Sequence, residues 1–228
     1  MQKIPQHIGI IMDGNRHWAK ERNLPTLEGH RLGYNKLKEI TRLCFKKGVK
    51  ILTVFAFSTE NWNRSKKEVS YLMKLLKRAV KESLSEFHKE NVKIKIFGRL
   101  NQLPKDLQKL IAETVNKTKN NTKEILNIAF NYGGRAEIID AIKNIVSKNI
   151  PAAKIDEKII KENLYAGELP DPELIIRTSG EQRLSGFLLW ESAYSELYFT
   201  KKYWPDFNEK DLDEALQEYD RRERRFGK

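Results

Sequence analysis

The sequence predicts an α/β protein: a single-domain, open and mostly parallel β-sheet of about six strands, flanked by helices. Three observations predict it. Short β-rich runs alternate with helical stretches along the whole chain. Most of those runs are near-continuously apolar, the pattern of strands covered on both faces. Finally, 228 residues suffice for one sizeable core, and no low-complexity segment or internal repeat divides residues 1–228.

The elements follow in order. An apolar run at 8–11 predicts the first strand and halts at Asp13-Gly14, a turn pair. Helical spacing over 28–47 puts Leu37, Ile40 and Cys44 on one face, and Gly48 suits the left-handed residue that closes a helix. The run "ILTVFAFS" at 51–58 predicts the second strand. Over 65–91, Val69, Leu72, Met73, Leu76 and Val80 recur at i, i+3, i+4, i+7 and i+11, an amphipathic stripe. Further strands are expected at 92–98, 125–131 and 174–177, and helices at 104–119, 135–147, 156–164 and 208–225. This βαβα order builds a parallel sheet, whose ligands bind beyond the carboxyl ends of the strands.

Composition narrows the function. Lys plus Arg number 43 against 31 Asp plus Glu, and the net charge of +12 suits polyanions, phosphorylated metabolites or anionic membrane surfaces. A single cysteine excludes an internal disulfide and a zinc cluster and fits a reducing compartment. No run approaches the ~18 apolar residues of a membrane span, and the N-terminus lacks a signal-peptide core, so a cytoplasmic location is expected. There is no P-loop, no H-E-x-x-H and no D-D-x-x-D.

Three strand ends carry the candidate chemistry: "DGNRHW" after the first, "STENWNR" after the second and "RTSGEQRLS" after the fifth. Together they present Arg16, His17, Arg64, Arg177 and Arg183 with the hydroxyls of Ser58, Thr59, Thr178, Ser179 and Ser185. Guanidinium forks match phosphate oxygens in pairs, so convergent arginines and hydroxyls describe an oxyanion site. Gly14 and the amides after it add N–H donors at a helix start. Asp13 would repel phosphate, and Mg²⁺ resolves the conflict, because that ion prefers one or two carboxylates plus phosphate oxygens. Taken alone, "DG" after a strand reads as an ordinary turn.

The stretches "HIGIIMDGNRHWAK", "GHRLGY", "FAFSTENWNR", "NIAFNYGGRAEI", "LIIRTSGEQRLSGFLLWESAYSELYF" and "WPDF" closely resemble the cis-prenyltransferases, above all bacterial undecaprenyl diphosphate synthases. The match runs in order over essentially the whole chain. It implies repeated addition of isopentenyl diphosphate, in the cis configuration, to an allylic starter such as farnesyl diphosphate. It further implies a lipid-carrier precursor for cell-wall synthesis as product, made by a homodimer that touches the inner face of the plasma membrane peripherally to release it. By the same resemblance Asp13 is the essential aspartate acting with Mg²⁺, and Glu196 is the second metal-associated carboxylate. Gly14, Asn15, Arg16, His17, Trp18, His30, Ser58, Thr59, Glu60, Trp62 and Arg64 belong to the allylic diphosphate site. Arg177, Arg183, Leu184 and Ser185 hold the isopentenyl diphosphate, joined by Arg225 and Gly227 reaching into the partner subunit's site. Asn61 has a catalytic part; a neutral amide is a poor base, so the part is to orient the substrate while the leaving diphosphate takes the proton.

Four positions depart from the family pattern. His17 stands where Arg is usual, replacing a permanent charge by a titratable one, so allylic binding is expected to weaken as pH rises. Thr26 replaces an Arg, Gln182 a His, and Gly186 an Asn. Ala56, between Phe55 and Phe57, is small where short-product relatives carry bulk, which implies a long, undecaprenyl-like product; a shorter-product synthase is the alternative. A non-catalytic partner subunit would have lost "MDGN" and "SGEQRLS", both intact here. A nucleic-acid-binding protein would interleave aromatics with Lys and Arg on one surface, whereas here the aromatics fall in apolar runs, so no nucleic acid is expected as partner.

Overall fold

A computed structural model describes residues 2–222, apart from the side chains at 83–85. Six strands, β1 (His7–Ile11), β2 (Ile51–Ser58), β3 (Val92–Phe97), β4 (Glu124–Tyr132), β5 (Leu174–Arg177) and β6 (Glu196–Phe199), form one sheet in the order β3-β4-β2-β1-β5-β6. Every neighbouring pair is parallel. The helices are α1 (Asn15–Glu21), α2 (Thr26–Lys46), α3 (Lys66–Lys89), α4 (Lys105–Thr118), α5 (Gly134–Ser147), α6 (Glu157–Asn163) and α7 (Glu209–Arg221).

Strand residues alternate between two cores, which is why these runs read as continuously apolar. Ile8, Ile10, Leu52, Val54 and Leu126 pack with Ile40 and Cys44 of α2, Leu76, Val80 and Phe87 of α3, and Leu212 and Leu216 of α7. Ile11, Tyr132 and Ile175 face the other way, onto Phe187, Leu188 and Leu169. Cys44 is wholly buried, and that burial pushes its thiol up to about 12.

Two buried polar groups sit within these layers. His7 Nδ1–H donates to the Pro170 carbonyl at 2.6 Å, so its Nε2 accepts from the Thr53 hydroxyl at 2.7 Å, and Thr53 in turn accepts from Asn127. Burial lowers the pKa of His7 to about 4 and keeps it neutral. On the other side, Glu137 accepts from the Tyr132 hydroxyl and the Tyr165 N–H. Nearby Glu191 is buried, and neither of its carboxyl oxygens is hydrogen-bonded among the described residues. Burial pushes both carboxyls upward, and for Glu191 the charge of Glu137 adds to the effect.

β2 slips register against β4 after Phe55 and again after Phe57, a bend that turns Ala56 and Ser58 toward the carboxyl edge of the sheet. α2 begins at Thr26, two residues before the expected 28, because Pro25 (φ −57°) presets the entry into the helix. β6 and α1 have no counterpart among the sequence-derived ranges. Each is short, spanning only about two periods of its pattern, too few to stand out from the surrounding sequence.

Candidate active site

The carboxyl ends of β1, β2 and β5 open onto one cleft of about 730 Å³. Asp13, Gly14, Asn15, Arg16, His17, His30, Ser58, Asn61, Arg64, Arg177 and Ser185 line it, with Thr26, Lys20, Leu24 and Leu72. The topology explains the convergence. β1 lies between β2 and β5, so the three loops leave the sheet side by side.

Asp13 is held by its backbone. Its N–H donates to Thr178 Oγ1 (2.9 Å), while the same hydroxyl donates to its carbonyl (2.7 Å), which also accepts from Trp204 N–H (3.0 Å). Gly14 follows at φ 99°, a left-handed turn, and a Cβ there would lie 2.6 Å from the Tyr203 ring. Only glycine meets both demands. α1 then presses so closely on α2 that a Cβ on Gly29 would lie 2.0 Å from the Asn15 carbonyl.

Arg177 spans the floor. Nη2 donates to Asp13 Oδ2 at 2.7 Å, and Nη1 donates to Ser185 Oγ at 2.8 Å and to the Arg183 carbonyl. The side chain is 4% exposed, and its Nε is buried without a partner among the described residues. The loop that supplies Ser185 is tightly wound, with positive φ at Ser179, Gly180, Ser185, Gly186 and Leu188. Strain of this kind concentrates at functional loops.

Glu68, on the first turns of α3, organises the cations opposite. Its Oε1 accepts from His30 Nε2–H (3.0 Å) and from Arg64 Nη1 (3.0 Å), with Arg16 Nε at 3.9 Å. Burial pushes this carboxyl upward, but the His30 hydrogen bond and the arginine charges outweigh it and the net shift is downward. His30 is shifted down by its own burial, which the bond to Glu68 only partly offsets. A neutral His30 that donates to Glu68 leaves the permanent positive charge of this wall to Arg16, Arg64 and Lys20.

Of the other expected residues, Trp18, Thr59, Glu60, Trp62, Arg183 and Leu184 lie apart from the cleft lining, and Asn61 belongs to it. Trp18 is buried behind α1, its Nε1–H donating to Asp206 at 2.6 Å, while Arg22 pairs with the same carboxylate and stacks 4.5 Å from the Trp18 ring. Trp62 donates to Asn131 and meets Phe57 edge-on. Asn61 Oδ1 accepts from Ser58 N–H, capping the turn at Thr59–Asn63, and Thr59 donates to Glu60 at the surface. Arg183 is 59% exposed and paired with Glu181. Leu184 packs against the second core.

Glu196 does not meet Asp13 within the chain. It opens β6 level with Leu174 and thereby with Ile8, about 16 Å below Asp13 at ~3.3 Å per residue. Its carboxylate pairs with Arg222 at 2.8 Å. Arg225 and Gly227 lie outside the described residues. Sequence reasoning missed Lys20, Leu24 and Glu68. Lys20 had a signal, its i+4 spacing from Arg16, and Glu68 had the same spacing from Arg64, but nothing local ties Glu68 to His30 or Arg16.

No group of three His, Cys, Asp or Glu side chains among the described residues forms a metal cage. The donors present fit a hard cation that takes one carboxylate oxygen from Asp13 and the rest from water and phosphate. The half-buried Asp13 faces the cleft, beside an arginine with an unused donor.

The comparisons agree with this geometry. Residues 11–227 match the prenyltransferase family described as "Putative undecaprenyl diphosphate synthase". The chain is 50% identical to an isoprenyl transferase of Fusobacterium nucleatum, over 99% of this chain and 97% of that one. It is 48% identical to the isoprenyl transferase of Clostridium perfringens, over 99% and 90%. Among solved structures, lavandulyl diphosphate synthase of Lavandula x intermedia, in complex with dimethylallyl diphosphate, superposes with TM-score 0.95 at 37% identity, covering 99% of both chains. A probable undecaprenyl diphosphate synthase of Campylobacter jejuni superposes at 0.83 with 33% identity over the full length of both. With the fold, the arginine-floored cleft and these relatives in agreement, the chain belongs to the undecaprenyl diphosphate synthase family of isoprenyl transferases and is an enzyme of prenyl-group transfer.

Proposed function

We propose that this enzyme is a Mg²⁺-dependent cis-prenyltransferase. It adds isopentenyl diphosphate repeatedly to an allylic diphosphate, farnesyl diphosphate in the first instance, to build a long, undecaprenyl-like polyprenyl diphosphate. The observation that carries the reading is Arg177, buried and clamped between Asp13 and Ser185 with a donor to spare, at the floor of a cleft with cationic walls. Two diphosphates require two neighbouring sets of fixed donors, and the cleft has them. Arg16, Arg64 and Lys20 form one wall; Arg177 on the floor and Ser185 beside it form the second set.

In this reading Asp13 would hold Mg²⁺. When bound, the cation neutralises charge that builds on the departing allylic diphosphate. Arg64, held by Glu68, and Arg16 beside it add positive charge to the same oxygens, where it counts most in the transition state. Arg177 and Ser185 fix the second diphosphate so that its alkene faces the developing cation, a positioning task. Asn61, held by its bond to Ser58 N–H, orients that substrate. Ile11, Phe55, Ala56 and Leu72 make the apolar side of the cleft, where the prenyl tail enters.

Homodimerisation is part of the proposal. Ile139, Ile142 and Val146 form an exposed apolar stripe on α5, and Val146 is 68% exposed. A stripe of this kind is the usual mark of a partner surface. No helix among the described residues is long and apolar enough to cross a membrane, and the +12 charge favours transient contact with an anionic bilayer surface. The proposed setting is thus the cytoplasm, with peripheral contact at the inner face of the plasma membrane. A shorter product is the second reading, favoured by the narrowness of the apolar slot between α2 and α3, about 30 Å³.

The test is direct. The protein is incubated with Mg²⁺, farnesyl diphosphate and labelled isopentenyl diphosphate, and the products are sized. Asp13→Ala is expected to abolish elongation while circular dichroism stays unchanged. Full elongation by that variant would refute the role given to Asp13.

A further inference from the structure

α2 and α3 run side by side in the same direction, and a ladder of polar contacts joins them. Tyr34 O–H donates to Glu82 at 3.1 Å. One turn on, Lys38 Nζ pairs with Glu86 at 2.6 Å. One turn further, Arg42 reaches both Glu86 (2.8 Å) and Glu90 (2.9 Å), its guanidinium 5.4 Å from the Phe87 ring centroid. Three of these contacts join residues 48 apart, 34 with 82, 38 with 86 and 42 with 90. The rungs are therefore in register and about 6 Å apart along the helices, at ~1.5 Å rise per residue.

Beneath the ladder lies the apolar slot, lined by Tyr34 and Leu37 of α2, Leu76, Val80 and Phe87 of α3, and the sheet residue Leu126. Leu76 is one helical turn beyond Leu72, which lines the cleft, so the slot continues the cleft's apolar side. Its 30 Å³ is the share of a single water molecule and far below the volume of even one five-carbon unit. The sheet on the opposite wall is pinned by hydrogen-bonded strands on both sides of β2 and β4. For a lengthening tail to enter, the yielding wall is the α2–α3 seam, and the ladder closes that seam.

Resting on the prenyl-transfer reading, we propose that the Tyr34–Glu82, Lys38–Glu86–Arg42 and Arg42–Glu90 ladder determines product length. The tail enters at Leu72 and parts α3 from α2 one rung at a time, beginning at Tyr34–Glu82. Each rung resists, and elongation ends where the remaining rungs hold. Glu86 and Arg42 are the specificity-determining residues, because each makes two of the contacts across the seam. They act through the width of the slot and touch no reacting atom.

The experiment sizes the products of the full-length protein and three variants, with Mg²⁺, farnesyl diphosphate and labelled isopentenyl diphosphate. Glu86→Gln and Arg42→Gln are expected to shift the distribution toward longer chains by at least one isoprene unit. Lys77→Gln breaks an exposed ion pair to Asp106 on the far flank of α3 and is expected to leave the distribution unchanged. Raising the salt concentration should lengthen the wild-type products and have less effect on Glu86→Gln, since these pairs are screened. Thermal melts confirm that each variant is folded. Unchanged or shorter products from both ladder variants, with elongation otherwise intact, would overturn the ladder while leaving prenyl transfer standing. Absence of any product from the unaltered protein would overturn both.

Discussion

Glu68 shows how one carboxylate can fix a basic wall without touching substrate. It hydrogen-bonds His30 and Arg64 and stands 3.9 Å from the exposed Arg16, so Arg64 faces the cleft in a set geometry rather than as a mobile surface charge. Glu68→Gln keeps a hydrogen-bond acceptor but loses the charge. Steady-state kinetics should show kcat/KM for the allylic diphosphate falling roughly ten- to a hundredfold, the scale expected for misplaced positioning groups. Unaltered kinetics would mean that Arg64 holds its place unaided. His17 gives a second prediction at this scale. It stands exposed on the lip of the cleft, its ring 6.1 Å from that of Tyr203. His17→Arg supplies a permanent charge and a guanidinium fork, and should lower the allylic KM about two- to fivefold, the equivalent of up to ~1 kcal/mol at an exposed site. A KM that does not move would remove His17 from the diphosphate's surroundings.

At the scale of elements, the sheet was legible because burial on both faces writes itself as runs such as "ILTVFAFS", and α3 because its stripe repeats over many turns. β6 was not, since its four residues are all half-buried and show no alternation of buried and exposed positions. Asp13, Arg16, Arg64 and Arg177 could be placed by the rule that sites follow strand ends. Glu68 could be paired from sequence only with Arg64, four residues before it, since His30 and Arg16 lie on α2 and α1 and no local spacing records that meeting. The position of Glu196 was not legible for a related reason: its motif gives its place in the chain but not which end of the sheet it occupies. Helix ends are the most local of these features and the easiest to test. Asn208 caps α7, accepting from Lys210 N–H and Asp211 N–H, while Asp211 returns a bond to Asn208 N–H. Asn208→Ala should cost about 1 kcal/mol, seen as a fall of about 2–4 °C in Tm. An unchanged melt would show that packing alone fixes this helix.

For the whole molecule, two buried polar groups set opposing responses to pH. His7 is neutral when folded, with its pKa lowered to about 4 by burial. Unfolding lets it take a proton as pH falls below its ordinary 6.5, so its contribution is complete above 6.5 and is lost toward pH 4. Glu137 and Glu191 are raised by burial, so the folded chain keeps protons that the unfolded chain releases. Their contribution is complete below the ordinary carboxylate range and is lost as pH rises through neutrality. Glu191→Gln should therefore remove its share of the fall in Tm between the ordinary carboxylate range and neutrality, and so steepen the His7-dependent rise that overlaps it between about pH 4 and 6.5. An unchanged slope over that range in the variant would refute this account of Glu191. The burial of Cys44 has a different consequence, for how the molecule can be interrogated. The chain's only thiol is sealed in the core and held protonated, so it is unavailable to alkylating dyes. A cysteine introduced on α3 would be the sole labelling position, and a fluorophore there would report through its change of surroundings, in real time and without a cysteine-free background, the parting of two helices as a chain lengthens between them.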